Sequence, residues 1–187
     1  MKQKLLIFQI IAIIAIIIIG TILHFLYKFS NENWLIGSFS AINESVWEHL
    51  KLAVFPIIFV GIIEYFFIKG QANNFIEAKT IAIIFSIIFI PTVFYVYTSI
   101  LHTDVLVLDI AIFILSIILS EFIALEIMKM DSFSTFNTQI ISTIIIVGIV
   151  FIFILFTYKP PKLEIFKDPI NDTYGIDKET KELQKVY

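Results

Sequence analysis

The chain has 187 residues, of which 59% are hydrophobic, and its mean hydropathy is +0.95. Soluble domains average roughly 45–50% apolar residues, so this composition excludes an ordinary soluble domain as the main folding unit. The formal net charge is −3, all 13 basic residues are lysine and cysteine is absent, which excludes disulfides and thiolate metal sites and makes nucleic acid an unexpected partner.

Five apolar segments are each about as long as the roughly 20 residues that a helix needs to cross a bilayer. In lipid the backbone of such a segment must satisfy its own hydrogen bonds, which requires a helix. The sequence therefore predicts an all-α polytopic membrane protein: a bundle of five transmembrane helices (1–158) followed by a polar C-terminal tail (159–187). Its expected partner is the lipid bilayer, and the oligomeric state stays open. The predicted spans are 5–26, 50–68, 78–101, 105–128 and 140–157.

The first predicted span follows Lys2 and Lys4 and so has the outline of a signal peptide. Its apolar run continues past the usual length without a small-residue cleavage site, which favours a retained helix. The lysines near the span ends are evenly divided between the two sides. Because the first helix often sets orientation, we expect a multi-pass protein of the cell membrane with a cytoplasmic N-terminus.

The second span is preceded by a polar motif, residues 41–53, with the sequence Ala-Ile-Asn-Glu-Ser-Val-Trp-Glu-His-Leu-Lys-Leu-Ala. Charged groups within a membrane protein are tolerated where they are paired, hydrated or functional. Asn43 is the predicted N-cap, and Glu44 is expected in the first helical turn, where a carboxylate complements the helix dipole. Further along, Pro56 is expected to kink this helix.

The third and fourth spans carry small residues at four-residue spacing, which allow helix backbones to approach closely in lipid. Pro91 predicts a second kink, in the third span. The glutamates of these helices are assigned by depth: Glu64 and Glu126 are expected at the interface, and Glu121 is expected to be buried and paired. The small-residue stripes are Ala78, Ala82 and Ser86, and Ser116, Ser120 and Ala124.

Five spans place the first loop, the third loop and the tail on one side of the membrane. All three histidines, His24, His49 and His102, fall at that side, together with Asp104 and Asp109. Their side chains are of the type that holds zinc or another divalent metal, with Asp109 or Glu48 completing the set. No complete metalloprotease motif is present, because Ser45 stands where the inverzincin pattern needs its first histidine.

Helical spacing of about 100° per residue would put Glu44, Trp47, Glu48 and Lys51 on one stripe and direct His49 away from it. Glu48 and Lys51 are spaced for an ion pair. Glu44 and Glu48 are candidate catalytic residues, because a desolvated carboxyl pair can supply a general acid or base. Helix capping by Glu44 and a plain interfacial pair for Glu48–Lys51 remain open interpretations.

Residues 43–52 form the most specific string in the chain, Asn-Glu-Ser-Val-Trp-Glu-His-Leu-Lys-Leu. With residues 24–27, 160–161, 168–169 and 173–176, this string resembles DUF6512, a family of small bacterial multi-pass membrane proteins of unknown function. The similarity extends over nearly the whole chain. The resemblance implies a membrane location and a bacterial source, and it implies no activity, cofactor or catalytic residue.

Three functions are compatible with this sequence. The first is a membrane protein that binds a ligand or partner without catalysis, in a polar cavity lined by Asn43, Trp47, Lys51, Asp104 and Asp109. The second is a metal-dependent hydrolase acting on a lipid or small amphiphile, with the three histidines as ligands. The third is a transporter or channel subunit with a polar path from Asp109 to Glu121. The first is favoured, so an enzyme is not the leading expectation.

Overall fold

The computed structural model describes residues 2–176, so residues 177–187 of the predicted tail lie outside the described part. Five long helices in it are long and apolar enough to cross a membrane, which confirms the all-α, multi-pass fold class. The helices are α1 (Lys2–Phe29), the short α2 (Trp34–Gly37), α3 (Val46–Ile68), α4 (Phe75–Leu101), α5 (Leu106–Lys129) and α6 (Phe136–Tyr158), followed by a 3-10 turn at Glu164–Phe166.

The helices α4 and α5 pack most extensively against each other, and α3 packs against both α1 and α4. Every residue of the two small-residue stripes is fully buried, as expected where backbones approach closely in lipid. The interior is filled mainly by isoleucine, leucine and alanine, while large apolar side chains also cover the outer faces of the helices. Apolar side chains exposed over whole helix faces are uncommon in soluble monomers. This exterior therefore fits a surface that faces lipid.

The start of α3 differs from the sequence prediction. Ser45 is the N-cap, and its hydroxyl accepts a hydrogen bond from the Glu48 amide at 3.3 Å. Asn43, the predicted cap, instead accepts from the Ser45 amide at 3.0 Å in a turn before the helix. Glu44 therefore precedes the helix and does not lie in its first turn. Its expected place on a helical stripe with Glu48 is wrong for the same reason.

The two internal prolines, Pro56 and Pro91, lie inside helices that continue past them, so neither residue ends its helix. In lipid, neighbouring helices and polar side chains can satisfy the carbonyl that a proline leaves without a donor. Both helices therefore keep the length needed to cross the membrane.

The first part of the tail packs on the end of the bundle where α3 begins. The indole of Trp47 lies between α6 and the tail, with ring centroids 4.4 Å from Phe153 and 4.7 Å from Phe166. The backbone of Gly175 has a φ of +61°, and a side chain there would lie 2.8 Å from Pro160 Cδ. This close approach holds the tail against the C-terminal end of α6.

Candidate functional site

The first turn of α3 fixes the ring of His49. Its Nδ1 lies 2.9 Å from the carbonyl oxygen of Ser45, which can only accept a hydrogen bond, so Nδ1 carries the proton and donates. In the neutral ring the lone pair is then on Nε2. That atom faces the Glu44 carboxylate, at 3.4 Å from Oε2. The capped turn thus sets both the orientation and the tautomer of the imidazole.

His24 reaches the same place from the last turns of α1. Its ring centroid is 5.2 Å from that of His49, and its Nδ1 is buried without a hydrogen-bond partner. An imidazole nitrogen in this state has a lone pair or a proton that no protein group satisfies, which in native structures is uncommon. The ring edge packs against Phe25 at a centroid distance of 4.7 Å, which holds it in place.

One ligand atom from each of His24, Glu44 and His49 lies within 4.8 Å of the other two. Ligands about 2.1 Å from a tetrahedral metal ion are about 3.4 Å apart, so small side-chain rotations would bring all three onto one ion. All three residues are partly exposed at the end of the bundle, which gives an ion a path from water. Two imidazoles and one carboxylate form a ligand set of known metal-binding type.

Glu44 is held in its ionised form, which is the form that binds a metal. When the His49 ring is charged, its Nε2–H donates to Glu44, and this hydrogen bond lowers the pKa of the Glu44 carboxyl most; the charges of His49, His24 and Lys28 lower it further. Partial burial acts in the opposite direction and does not overcome them. A metal ion at Nε2 would take the place of that proton. The local charge therefore favours a carboxylate beside two imidazoles.

The other half of the polar motif forms a separate and closed cluster. The ammonium of Lys51 lies 2.6 Å from Glu48 Oε2 and donates to the carbonyls of Gly37 at 2.9 Å and Ser40 at 3.2 Å. Glu48 Oε2 also accepts from the Ile42 amide at 3.1 Å. Because all three ammonium protons have acceptors, this pair ties the loop between α1 and α3 to the helix.

The remaining predicted site residues lie outside the His24–Glu44–His49 group. Trp47 packs among aromatic rings, and Asn43 holds the turn before α3. His102 and Asp104 are exposed in the connection between α4 and α5. Asp109 accepts a hydrogen bond from the Tyr97 hydroxyl. Of the three predicted histidines, the structure therefore brings together only His24 and His49, and the third metal-type ligand beside them is Glu44.

A second buried cluster lies near the other end of the bundle. The expectation that Glu121 is buried and paired is confirmed, but its partners were not predicted from the sequence. Lys79 Nζ lies 2.6 Å from carboxylate oxygens of both Glu64 and Glu121, and Gln9 also donates to Glu121. The expectation that Glu64 reaches the interface is wrong, since only 4% of it is exposed. A signal was available: Glu64 and Lys79 are equally far from the loop that joins α3 to α4, so antiparallel helices bring them to the same depth.

The comparisons with known proteins place the chain in a family and supply no mechanism. No curated protein and no solved structure matches the chain. One family model matches residues 1–176, which is nearly the whole length and includes both clusters and the packed part of the tail. The chain therefore belongs to DUF6512, a family of unknown function.

Proposed function

We propose that this multi-pass membrane protein binds a divalent transition-metal ion, such as zinc, through His24, Glu44 and His49. The observation that supports this proposal is the convergence of three ligand atoms within 4.8 Å of one another. The sequence favours a protein that binds a ligand or partner, and this proposal identifies the ligand as a metal ion. It also replaces His102 and Asp109 of the sequence-based ligand set with Glu44.

The chemistry of the three residues suits such an ion. Metal-bound histidines commonly donate their second ring N–H to a carbonyl or carboxylate, and His49 makes this bond to Ser45. His24 has a ring nitrogen, Nδ1, that no other group of the described structure satisfies. Two histidines and one glutamate leave the fourth position of a tetrahedral ion open to water or to a ligand.

The open fourth position also favours a second candidate, a metal-dependent hydrolase acting on a lipid or amphiphile. Zinc lowers the pKa of a bound water to about 7 and can so supply a nucleophile without a separate base. Glu48, the other candidate base, has its oxygen engaged by Lys51 and Ile42. A hydrolase at this site would therefore depend on the ion and on Glu44. The E48Q variant, if it folds, would keep its hydrolase activity.

A transport path along α5 has less support. Asp109 contacts Tyr97, and Glu121 contacts Lys79 and Gln9, so the two carboxylates belong to different clusters. Twelve residues separate them, which corresponds to about 18 Å of helix. A continuous polar path would need groups between them that these contacts do not supply.

The metal proposal is tested by titrating Zn²⁺ into purified, metal-stripped protein in detergent. We expect one bound equivalent in the natural chain. H24A and H49A should each weaken binding by more than about tenfold, since even groups one shell beyond the ligands have effects of that size. H102A is the matched control, because His102 is exposed and lies outside the group. Substoichiometric binding, or equal losses in all three variants, would contradict the proposal.

We also propose that the N-terminus is cytoplasmic and that the His24–Glu44–His49 group faces outward. Asp104 and Asp131 are both exposed, and they lie in loops at opposite ends of the bundle. In this cysteine-free chain, D104C should react with a membrane-impermeant thiol reagent in intact cells, while D131C should react only after permeabilisation. The reverse pattern would invert the orientation.

A further inference from the structure

Four helices contribute to the buried polar cluster of Gln9, Glu64, Lys79 and Glu121, from α1, α3, α4 and α5 respectively. Each of the four residues is at least 96% buried, since their exposed fractions are 2%, 4%, 4% and 0%. Lys79 bridges the two carboxylates at 2.6 Å each. The cluster is distinct from the proposed metal site, which lies at the opposite end of α1 and α3.

The charges of this cluster do not balance when both carboxyls are ionised. One ammonium then faces two carboxylates, and Gln9 is neutral, so the sum is −1 in an apolar interior. An uncompensated buried charge is costly, and proteins commonly avoid it by changing the protonation of a group. No further charged group among the described residues forms an ion pair with these three.

The two carboxyls are not equivalent. Glu121 Oε2 accepts from both Lys79 and Gln9, which stabilises its ionised form. Glu64 forms an ion pair with Lys79 alone, and neither of its carboxylate oxygens has a hydrogen-bond partner. The Oε1 atoms of Gln9 and Glu121 are also buried acceptors without a donor. The cluster thus has spare acceptors and lacks a proton.

Two spaces lie near this cluster on the side of the α3–α4 loop. A polar cavity of about 300 Å³ lies between the α3–α4 and α5–α6 loops and is lined by asparagine, serine and glutamine side chains. An apolar groove of about 280 Å³ beside it is lined in part by Lys79. Tyr65, Phe75 and Ile76 line both spaces. The aqueous face nearest those loops is therefore the one from which a proton would reach the cluster, past these three residues.

We propose that the Glu64–Lys79–Glu121 cluster is a proton-binding site, in which Glu64 carries one exchangeable proton at neutral pH. The proton reduces the net charge of the cluster to zero and supplies the missing donor. No bond other than O–H forms or breaks, and the proton comes from bulk water and returns to it. A site of this kind would make the state of the bundle depend on proton concentration at the face of the α3–α4 loop.

Infrared spectroscopy of the detergent-purified protein tests the proposal, because protonated and ionised carboxyls absorb at different frequencies. At neutral pH the natural chain should show a protonated-carboxyl band that shifts in D₂O. E64Q should lose this band, since the remaining Glu121 and Lys79 balance. K79M should strengthen it, since both carboxyls then lack a counter-charge. E126Q is the control and should retain it, because Glu126 is a partly exposed partner of Lys129.

Two infrared results would overturn the proposal. Absence of the band at neutral pH would do so, and so would a band that persists unchanged in folded E64Q. Thermal unfolding locates the proton: E64Q, which resembles a protonated Glu64, should unfold near the temperature of the natural chain. E121Q should unfold earlier because Lys79 and Gln9 lose their shared acceptor. Equal losses in both variants would contradict the assignment to Glu64.

Discussion

Two buried lysines hold glutamates in this protein, and their surroundings differ. Lys51 faces one carboxylate and two backbone carbonyls, so its charge is balanced and its three protons are used. Lys79 faces two carboxylates, and four oxygens of its cluster accept no hydrogen bond. Both lysines are almost completely buried.

The difference between the two clusters shows that burial of a charge does not by itself indicate function. The cluster of Lys51 and Glu48 is closed, and its contacts explain it as the attachment of a loop to a helix. The cluster of Lys79 is open, because it lacks a positive charge and a proton. The same criterion distinguishes His24, with its unpartnered Nδ1, from Lys51, whose three ammonium protons all have acceptors.

The largest expected effect comes from removing the ammonium of the closed cluster. K51M leaves the Glu48 carboxylate buried with only the Ile42 amide as donor, which should cost about 3–5 kcal/mol of unfolding free energy. Thermal unfolding in detergent, followed by the fluorescence of the half-buried Trp47, measures this loss. K162M, which changes an exposed lysine, is the control.

A double variant distinguishes a lost ion pair from lost packing at the same position. Changing Glu48→Leu together with Lys51→Met removes both charges, and replacing both partners by apolar groups is often close to neutral. The double variant should therefore be more stable than K51M alone. If it is less stable, the loop attachment rests on the hydrogen bonds to Gly37 and Ser40 rather than on charge balance.

A smaller effect should separate the two glutamates. E48Q leaves the Lys51 ammonium without its carboxylate and should lose about 1.5–3 kcal/mol, the range for hydrogen bonds to charged groups. E64Q should lose less than about 1 kcal/mol, because the amide resembles the protonated carboxyl proposed there. Both are read from unfolding midpoints under one condition. Equal destabilisation would remove the distinction between closed and open clusters.

The most local effect concerns the tail that packs beside the closed cluster. G175A places a side chain at a φ of +61° and within 3 Å of Pro160 and the Thr157 carbonyl, at a cost of about 1–3 kcal/mol. We expect this cost to release the tail locally, which limited proteolysis would detect as faster cleavage after residue 158. G70A is the control, because Gly70 has open space around its Cα. Equal cleavage of both variants would mean that the tail is held elsewhere.

The two histidines of the candidate site could be predicted from the sequence, but the position of Glu44 could not. Span counting puts His24 and His49 at one end of the bundle, and the structure brings their rings to 5.2 Å. Glu44 was placed on the wrong surface because Asn43 and Ser45 are both good caps, and local chemistry does not choose between them. The choice of Ser45 frees Glu44 from the helix and turns it toward His49.

The buried cluster near the other end illustrates the opposite case. A glutamate one turn from the end of an apolar helix can extend to the interface or turn inward, and its own sequence is compatible with both. Glu64 turns inward because Lys79 and Glu121 lie on neighbouring helices. That outcome depends on how α3, α4 and α5 rotate about their axes, and an apolar helix gives few signals of rotation.

The five spans and the two stripes of small residues follow from the sequence alone, whereas the pairing of α4 with α5 is seen only in the folded bundle. Lipid offers the backbone no other hydrogen-bond partners, so a long apolar run must be helical, and small residues at four-residue spacing must mark close approach. Only the tertiary structure decided which polar residues are satisfied and which are not. Whether a buried polar group has a hydrogen-bond partner depends on residues that are distant in the chain, such as Lys79 and Glu121. The rotation of each helix about its axis brings such residues within hydrogen-bond range.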